Sequence, residues 1–161
     1  MRKKVLITGA ARGLGKSIAI AFAEHDYDVV ITYLNSVEEA QKLRSHLMEN
    51  YEGTFEIVKL DLRDENACRQ LGKNMNRLDV LVNNAAFNED KNYDEFDTKD
   101  FIDTYKVNVV GPYLLSISCE RALKEANGSI INISSSNAID TMYKESIPYD
   151  ASKSALINLT K

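Results

Sequence analysis

The sequence predicts an α/β fold built as one doubly wound parallel sheet with helices on both faces. Three observations carry that expectation. Short apolar runs alternate with longer amphipathic stretches along the whole chain, the pattern of strands that each lead into a helix. Runs such as "VVI" and "VLV" are apolar at every position, as strands covered on both faces are. The first run also passes directly into the glycine-rich stretch "GAARGLGKS" at 9–17, which suits a tight connection from strand to helix.

Taken in order, "KVLIT" reads as the first strand, and Ile18, Ile20, Ala21 and Phe22 give the helical spacing that follows it. "DVVITY" is the second strand, and the stretch from Ser36 to Met48 is the second helix. "FEIVKLDL", "RLDVLVNN" and "GSIINISS" supply three further strands, with helical spacing between them. "NEDKNYDEFDTKD", at 88–100, is acidic and polar; it reads as a surface loop running into a helix start, with one wall of a cleft as the alternative. "YKVNVVGPYLL" is helical in pattern but carries the interior Pro112, whose missing N–H leaves the carbonyl four residues earlier, that of Asn108, without its helical partner. The closing "IPYDASKSALINLTK" is again helical, which sets Tyr149 and Lys153 on one face.

Size and charge narrow the function. A chain of 161 residues with 44% hydrophobic content suits one domain, 1–161, rather than two. The net charge of −4 comes from 20 basic and 24 acidic residues spread through the chain, so no basic stripe is available for a nucleic acid. The apolar start at Val5-Leu6-Ile7 ends at Thr8 and Gly9, too short for a secretory core or a membrane span. No nucleic-acid or membrane partner and a cytoplasmic location are therefore expected. Cys68 and Cys119 lack metal-type spacing and read as small apolar side chains, and no metal site is expected.

"GAARGLGKS" admits two phosphate-binding readings. A triphosphate loop needs glycine, four residues, then Gly-Lys-Ser; counting back from Gly15-Lys16-Ser17 puts Ala10 where that glycine belongs. The other reading uses Gly9, Gly13 and Gly15 to bring a pyrophosphate close to the N-terminus of the first helix. Its spacing is wider than the simple G-x-G-x-x-G fingerprint, so the loop alone leaves both open.

"TGAARGLG" at 8–15, "NNAA" at 83–86, Asn108, "INISS" at 131–135 and "YDASK" at 149–153 together resemble, in order, the successive motifs of the short-chain dehydrogenase/reductase family. The likeness spans the chain and implies a Rossmann-like, dinucleotide-binding domain. Family members continue past the Tyr-x-x-x-Lys motif with two more strands and a substrate lid. The chain is accordingly expected to be incomplete at its C-terminus, with "SIINIS" left as an edge strand.

The resemblance implies an oxidoreductase that interconverts a carbonyl and a secondary alcohol by hydride transfer, with Ser135, Tyr149, Lys153 and Asn108 as the catalytic set. A phenol has an ordinary pKa near 10, so acid and base work near neutrality needs help from cations. One positive charge at about 4 Å is worth roughly 4 kcal/mol at an effective dielectric of 20. Lys153 and the oxidised nicotinamide ring are the implied cations, and Lys153 also holds the nicotinamide ribose. Ser135 matches the family's serine and would hold the substrate oxygen, with Ser136 as the alternative. Asn108 would hold a water joining the lysine to solvent.

For the cofactor, the resemblance implies contacts from Gly9, Arg12, Gly13, Leu14, Gly15, Asn35, Ser36, Asp61, Leu62, Asn84 and Ala85, besides Tyr149 and Lys153. The second strand ends in "ITYLNS" without an acid, and Arg12 matches the basic residue of NADP-preferring members, whereas Leu34 stands where many of them have a second arginine. NADP(H) is the expected cofactor and NAD(H) the alternative. A helix-capping role is the alternative for Asp61. Ala86 departs from the family's usual glycine. A small carbonyl or alcohol substrate is implied, and pairing of full-length subunits through helices near 104–125 and 147–161 into a homo-oligomer. A non-catalytic NADP-binding scaffold and a P-loop ATP-binding protein remain the competing classes.

Overall fold

The computed structural model describes residues 2–140 and 144–161. Five strands, β1 (Lys3–Ile7), β2 (Tyr27–Tyr33), β3 (Phe55–Lys59), β4 (Val80–Asn83) and β5 (Ser129–Asn132), form one parallel sheet in the order β3-β2-β1-β4-β5. The helices between them are α1 (Gly13–Glu24), α2 (Val37–Asn50), α3 (Glu65–Lys73), α4 (Thr98–Tyr105), α5 (Gly111–Ser118), α6 (Glu120–Ala126) and α7 (Ile147–Thr160). The predicted doubly wound sheet is what forms.

Alternation along each strand divides the core. Val5 and Ile7 of β1, with Val29 and Ile31 of β2 and Val82 of β4, are buried with Ala19, Leu43 and Leu47 from α1 and α2. Leu6, Val30 and Leu81 point the other way and pack with Leu114, Leu115, Cys68 and Cys119. Parallel register sets Leu6 beside both Val30 and Leu81, so each central strand loses both faces to the core. Burial pushes the Cys68 thiol up to about 11 and that of Cys119 to about 12, which keeps both protonated and apolar in behaviour.

Connections follow local chemistry. Asp26 (φ 64) turns α1 into β2, and Asn127 (φ 52) ends α6; both are residue types that tolerate left-handed backbone. The acidic stretch 88–100 does run into a helix start: Asp97 and Asp100 form a reciprocal capping box on α4, and Asp100, buried, also holds Lys91 at 2.8 Å. Pro112 does not kink a plain α-helix. Lys106–Val110 is a π-helical turn in which Gly111 N–H reaches back five residues to Lys106 O. In that register the acceptor opposite Pro112 is the carbonyl of Val107, one residue earlier than an α-helical count gives.

Reversal of the winding between β1 and β4 opens a crevice at the carboxyl ends of the strands. β5 is one edge strand and β3 the other, and on β5 Ile130 and Ile131 are partly open to solvent.

Candidate active site

The crevice begins with the exit from β1. Thr8 Oγ1 accepts the backbone N–H groups of Asn84 and Ala85 at 3.0 Å each, and Asn84 Nδ2 donates to the carbonyls of Thr8 (2.9 Å) and Gly9 (3.3 Å). The ends of β1 and β4 are thus locked together. Gly9 has φ 63, and a Cβ there would stand 2.9 Å from the Ala85 Cα. Gly15 is tighter still, with an added Cβ 2.5 Å from Asn84 Nδ2 and 2.6 Å from Gly9 O. Gly13 combines φ 55 with open space. These three positions need glycine for different reasons: close approach at two of them, and backbone hand at Gly9 and Gly13.

Helix α1 starts at this turn without a side-chain cap and with no acid in its first turn. Its first backbone bond runs from Lys16 N–H to Arg12 O (3.2 Å), which leaves the N–H groups of Gly13, Leu14 and Gly15 without a helical partner. Uncapped N–H groups at the positive end of a helix suit a phosphate. Lys16 and Ser17 are exposed on α1 and do not line the crevice, so the Gly-Lys-Ser reading has no structural counterpart.

A cleft of about 450 Å³ extends from this turn across the ends of β1 to β4. Gly9, Arg12, Gly13, Leu14, Gly15, Asn35, Ser36, Asp61, Leu62, Asn84 and Ala85 all line it, so the structure gathers every residue that the sequence assigned to the cofactor outside α7. Ala86 lines it too. So does Arg63, which sequence reasoning missed although it stands two residues from Asp61. The Arg63 guanidinium grips both Asp61 oxygens at 2.9–3.2 Å and holds that carboxyl below the usual range. Asp61 is the one acid among the described residues of the lining, and Arg63 balances its charge. The capping alternative for Asp61 falls to Asp64, whose side chain accepts Ala67 N–H at 3.0 Å and starts α3.

Ser135, Tyr149, Lys153 and Asn108 lie outside this lining, at the end of β5, on α7 and on the π turn. Pro148 stands in the first turn of α7, where its missing N–H is harmless. Lys153 is 2% exposed; its Nζ donates to Ile133 O at 2.6 Å and lies 5.6 Å from the centre of the Tyr149 ring. The helix therefore brings Tyr149 and Lys153 together as their spacing predicts. Burial draws the Lys153 amine down to about 8, so it remains largely protonated at neutral pH yet close to titrating.

The three serines after β5 part company. Ser134 donates to Lys153 O at 3.0 Å and so is spent on α7. Ser136 is exposed at the start of a 3-10 turn, Ser136–Ala138. Ser135 is half-buried; its Oγ accepts the Asn137 N–H at 3.2 Å and donates to no described residue.

Asn108 is fully buried. Its Oδ1 accepts Phe87 N–H at 2.7 Å, and its Nδ2 donates to Phe87 O and to Ser152 Oγ, each at 2.9 Å. Ser152 Oγ in turn donates to Tyr149 O at 2.6 Å. The Asn108 side chain ties the exit of β4 to α7 through Ser152, rather than standing free beside Lys153.

Comparison with known proteins gives a consistent result. Residues 3–161 match the family model described as short chain dehydrogenase. An uncharacterized oxidoreductase of Thermotoga maritima is 36% identical over 99% of the chain, and the 3-oxoacyl-acyl-carrier-protein reductase FabG of Staphylococcus aureus is 30% identical over all of it. The chain spans 63% of the length of the first and 67% of the second. Among solved structures, a short chain dehydrogenase from Burkholderia cenocepacia J2315 in complex with NADP superposes with TM-score 0.92 at 32% identity; 98% of this chain matches 65% of that one.

Proposed function

The chain belongs to the short-chain dehydrogenase/reductase family, and from that premise we propose that the protein is an NADP(H)-dependent oxidoreductase that interconverts a carbonyl and a secondary alcohol. The observations that carry the proposal are the uncapped, glycine-rich start of α1 at the cleft and the buried Lys153 beside the Tyr149 ring on α7.

The crevice fits the dinucleotide. Gly13, Leu14 and Gly15 offer backbone N–H groups to its pyrophosphate. Arg12, Asn35 and Ser36 would take the adenosine phosphate, Asp61 and Leu62 the adenine, and Asn84, Ala85, Tyr149 and Lys153 the nicotinamide half. NADP(H) is favoured over NAD(H) because β2 ends without an acid and Arg63 cancels the charge of Asp61. When bound, the cofactor supplies or accepts the hydride.

The remaining chemistry falls to the chain's own side chains. Tyr149 gives its phenolic proton to the substrate oxygen in reduction and removes it in oxidation. Lys153, protonated at neutral pH, supports the phenolate left behind; a unit charge 5.6 Å from the ring is worth about 3 kcal/mol at an effective dielectric of 20. Ser135, whose hydroxyl accepts the Asn137 N–H, donates to the substrate oxygen and holds it near Tyr149. Asn108 acts as a positioning residue that fixes α7 against β4 through Ser152.

Titration with NADPH, NADH and ATP under equal salt tests the cofactor half of the proposal. NADPH should bind at least about tenfold more tightly than NADH, as one well-placed charged hydrogen bond to the extra phosphate allows. Binding of Mg-ATP in preference to both would refute it.

A further inference from the structure

We propose that Asn137 and Asp150 are positioning residues that set the Ser135 hydroxyl for the reaction. The proposal rests on the carbonyl-reducing reading above and deepens it. Asp150 immediately follows Tyr149 and is 3% exposed. Its Oδ1 accepts a hydrogen bond from Asn137 Nδ2 at 3.0 Å, whereas its buried Oδ2 has no hydrogen-bond partner among the described residues. A buried carboxyl served by one neutral donor is an unfavourable way to fill space, which points to work done by that one bond.

The bond acts on the serine turn. Asn137 donates twice, through its side chain to Asp150 and through its backbone N–H to Ser135 Oγ. The second contact occupies a lone pair of the hydroxyl and leaves its hydrogen to be donated outward. The 3-10 turn that fixes this geometry closes on Ala138 N–H to Ser135 O at 3.1 Å. It is seated on α7 by Asp150 and by Ser154, whose Oγ donates to Ala138 O at 2.6 Å. Residues 150 and 154 share one face of α7, next to the face that carries Tyr149 and Lys153. One helix therefore bears the phenol and also tethers the turn that bears the hydroxyl. The Asn137–Asp150 bond sets the placement of one relative to the other.

The full-length gene product tests this with NADPH and the best substrate found in a panel of small ketones and aldehydes. Asn137→Ala and Asp150→Ala should each lower kcat/KM at least about tenfold, with NADPH affinity held within about twofold. In a Ser135→Ala background the same substitutions should have almost no further effect, because a misplaced hydroxyl is already gone; a purely structural role would add in full. Asp150→Asn keeps an acceptor for Asn137 and should retain most of the rate. The double variant Asn137→Asp with Asp150→Asn, which reverses donor and acceptor, should also recover it, and these two decide the matter if the alanine variants do not fold. Wild-type rates in both alanine variants, full additivity with Ser135→Ala, or no recovery in the swapped pair would overturn this inference while NADPH binding and turnover by the wild type leave the oxidoreductase reading standing. A wild type that binds no NADPH, or binds it and reduces nothing in the panel, overturns that reading and this inference with it.

Discussion

Replacing Lys153 by methionine should make the protein more stable and inactive. The amine titrates near 8 in the fold against 10.5 in the unfolded chain, because it has been taken out of water. That gap corresponds to about 3 kcal/mol of destabilisation wherever both states carry the proton. Methionine has similar length and no charge, so the penalty goes. Against this, Ile133 O loses the 2.6 Å bond from Nζ, and an orphaned carbonyl costs about 1–3 kcal/mol. A net gain of up to about 2 kcal/mol at pH 7 remains, or up to roughly 8 °C in Tm for a domain of this size. The sign with pH is fixed by the direction of the shift. A lysine with a lowered folded pKa carries its full penalty below 8 and sheds it as pH rises towards 10.5, since the folded state releases its proton first. Urea unfolding of both proteins at pH 7 and pH 10 measures the effect, and groups common to both cancel in the difference. The Met variant should be ahead at pH 7, with its lead shrinking by pH 10. A variant less stable at pH 7, or a lead that does not change with pH, would refute the reasoning.

Other substitutions probe the crevice and the helix α3 beside it. Gly15→Ala forces a Cβ to 2.5 Å from Asn84 Nδ2 and 2.6 Å from Gly9 O; it should lose about 1–3 kcal/mol in urea unfolding and at least tenfold in NADPH affinity by fluorescence titration. Arg12→Glu should weaken NADPH by more than about tenfold and NADH by much less, because it turns an attraction to the extra phosphate into repulsion. Asp64→Ala removes the cap of α3 and should cost about 0.5–2 kcal/mol while NADPH affinity stays within about twofold.

The sheet was legible because its strands announce themselves. Val29-Val30-Ile31 and Leu81-Val82 are apolar on both faces, and each pairs in the register that a parallel sheet requires. Gly9, Gly13 and Gly15 were readable because only glycine suits such crowding or such a backbone hand. Features that depend on three-dimensional closure were not. Nothing local to Lys106–Val110 distinguishes a π turn from an α-helix interrupted at Pro112. Asp61 and Asp64 are the same residue type three positions apart, and only the start of α3 decides which one caps it. Arg63 carries no signal of its own until the fold turns it onto Asp61. The Asn137–Asp150 bond joins two segments whose meeting requires α7 to lie along the serine turn.

The most direct measurement is NADPH oxidation by the full-length gene product across a carbonyl panel, run beside its Tyr149→Phe variant and with NADPH affinity determined for both. Loss of about 10²–10⁴ in rate with affinity preserved is the expected result. A Tyr149→Phe protein that turns over as fast as the wild type would contradict the role given to that phenol.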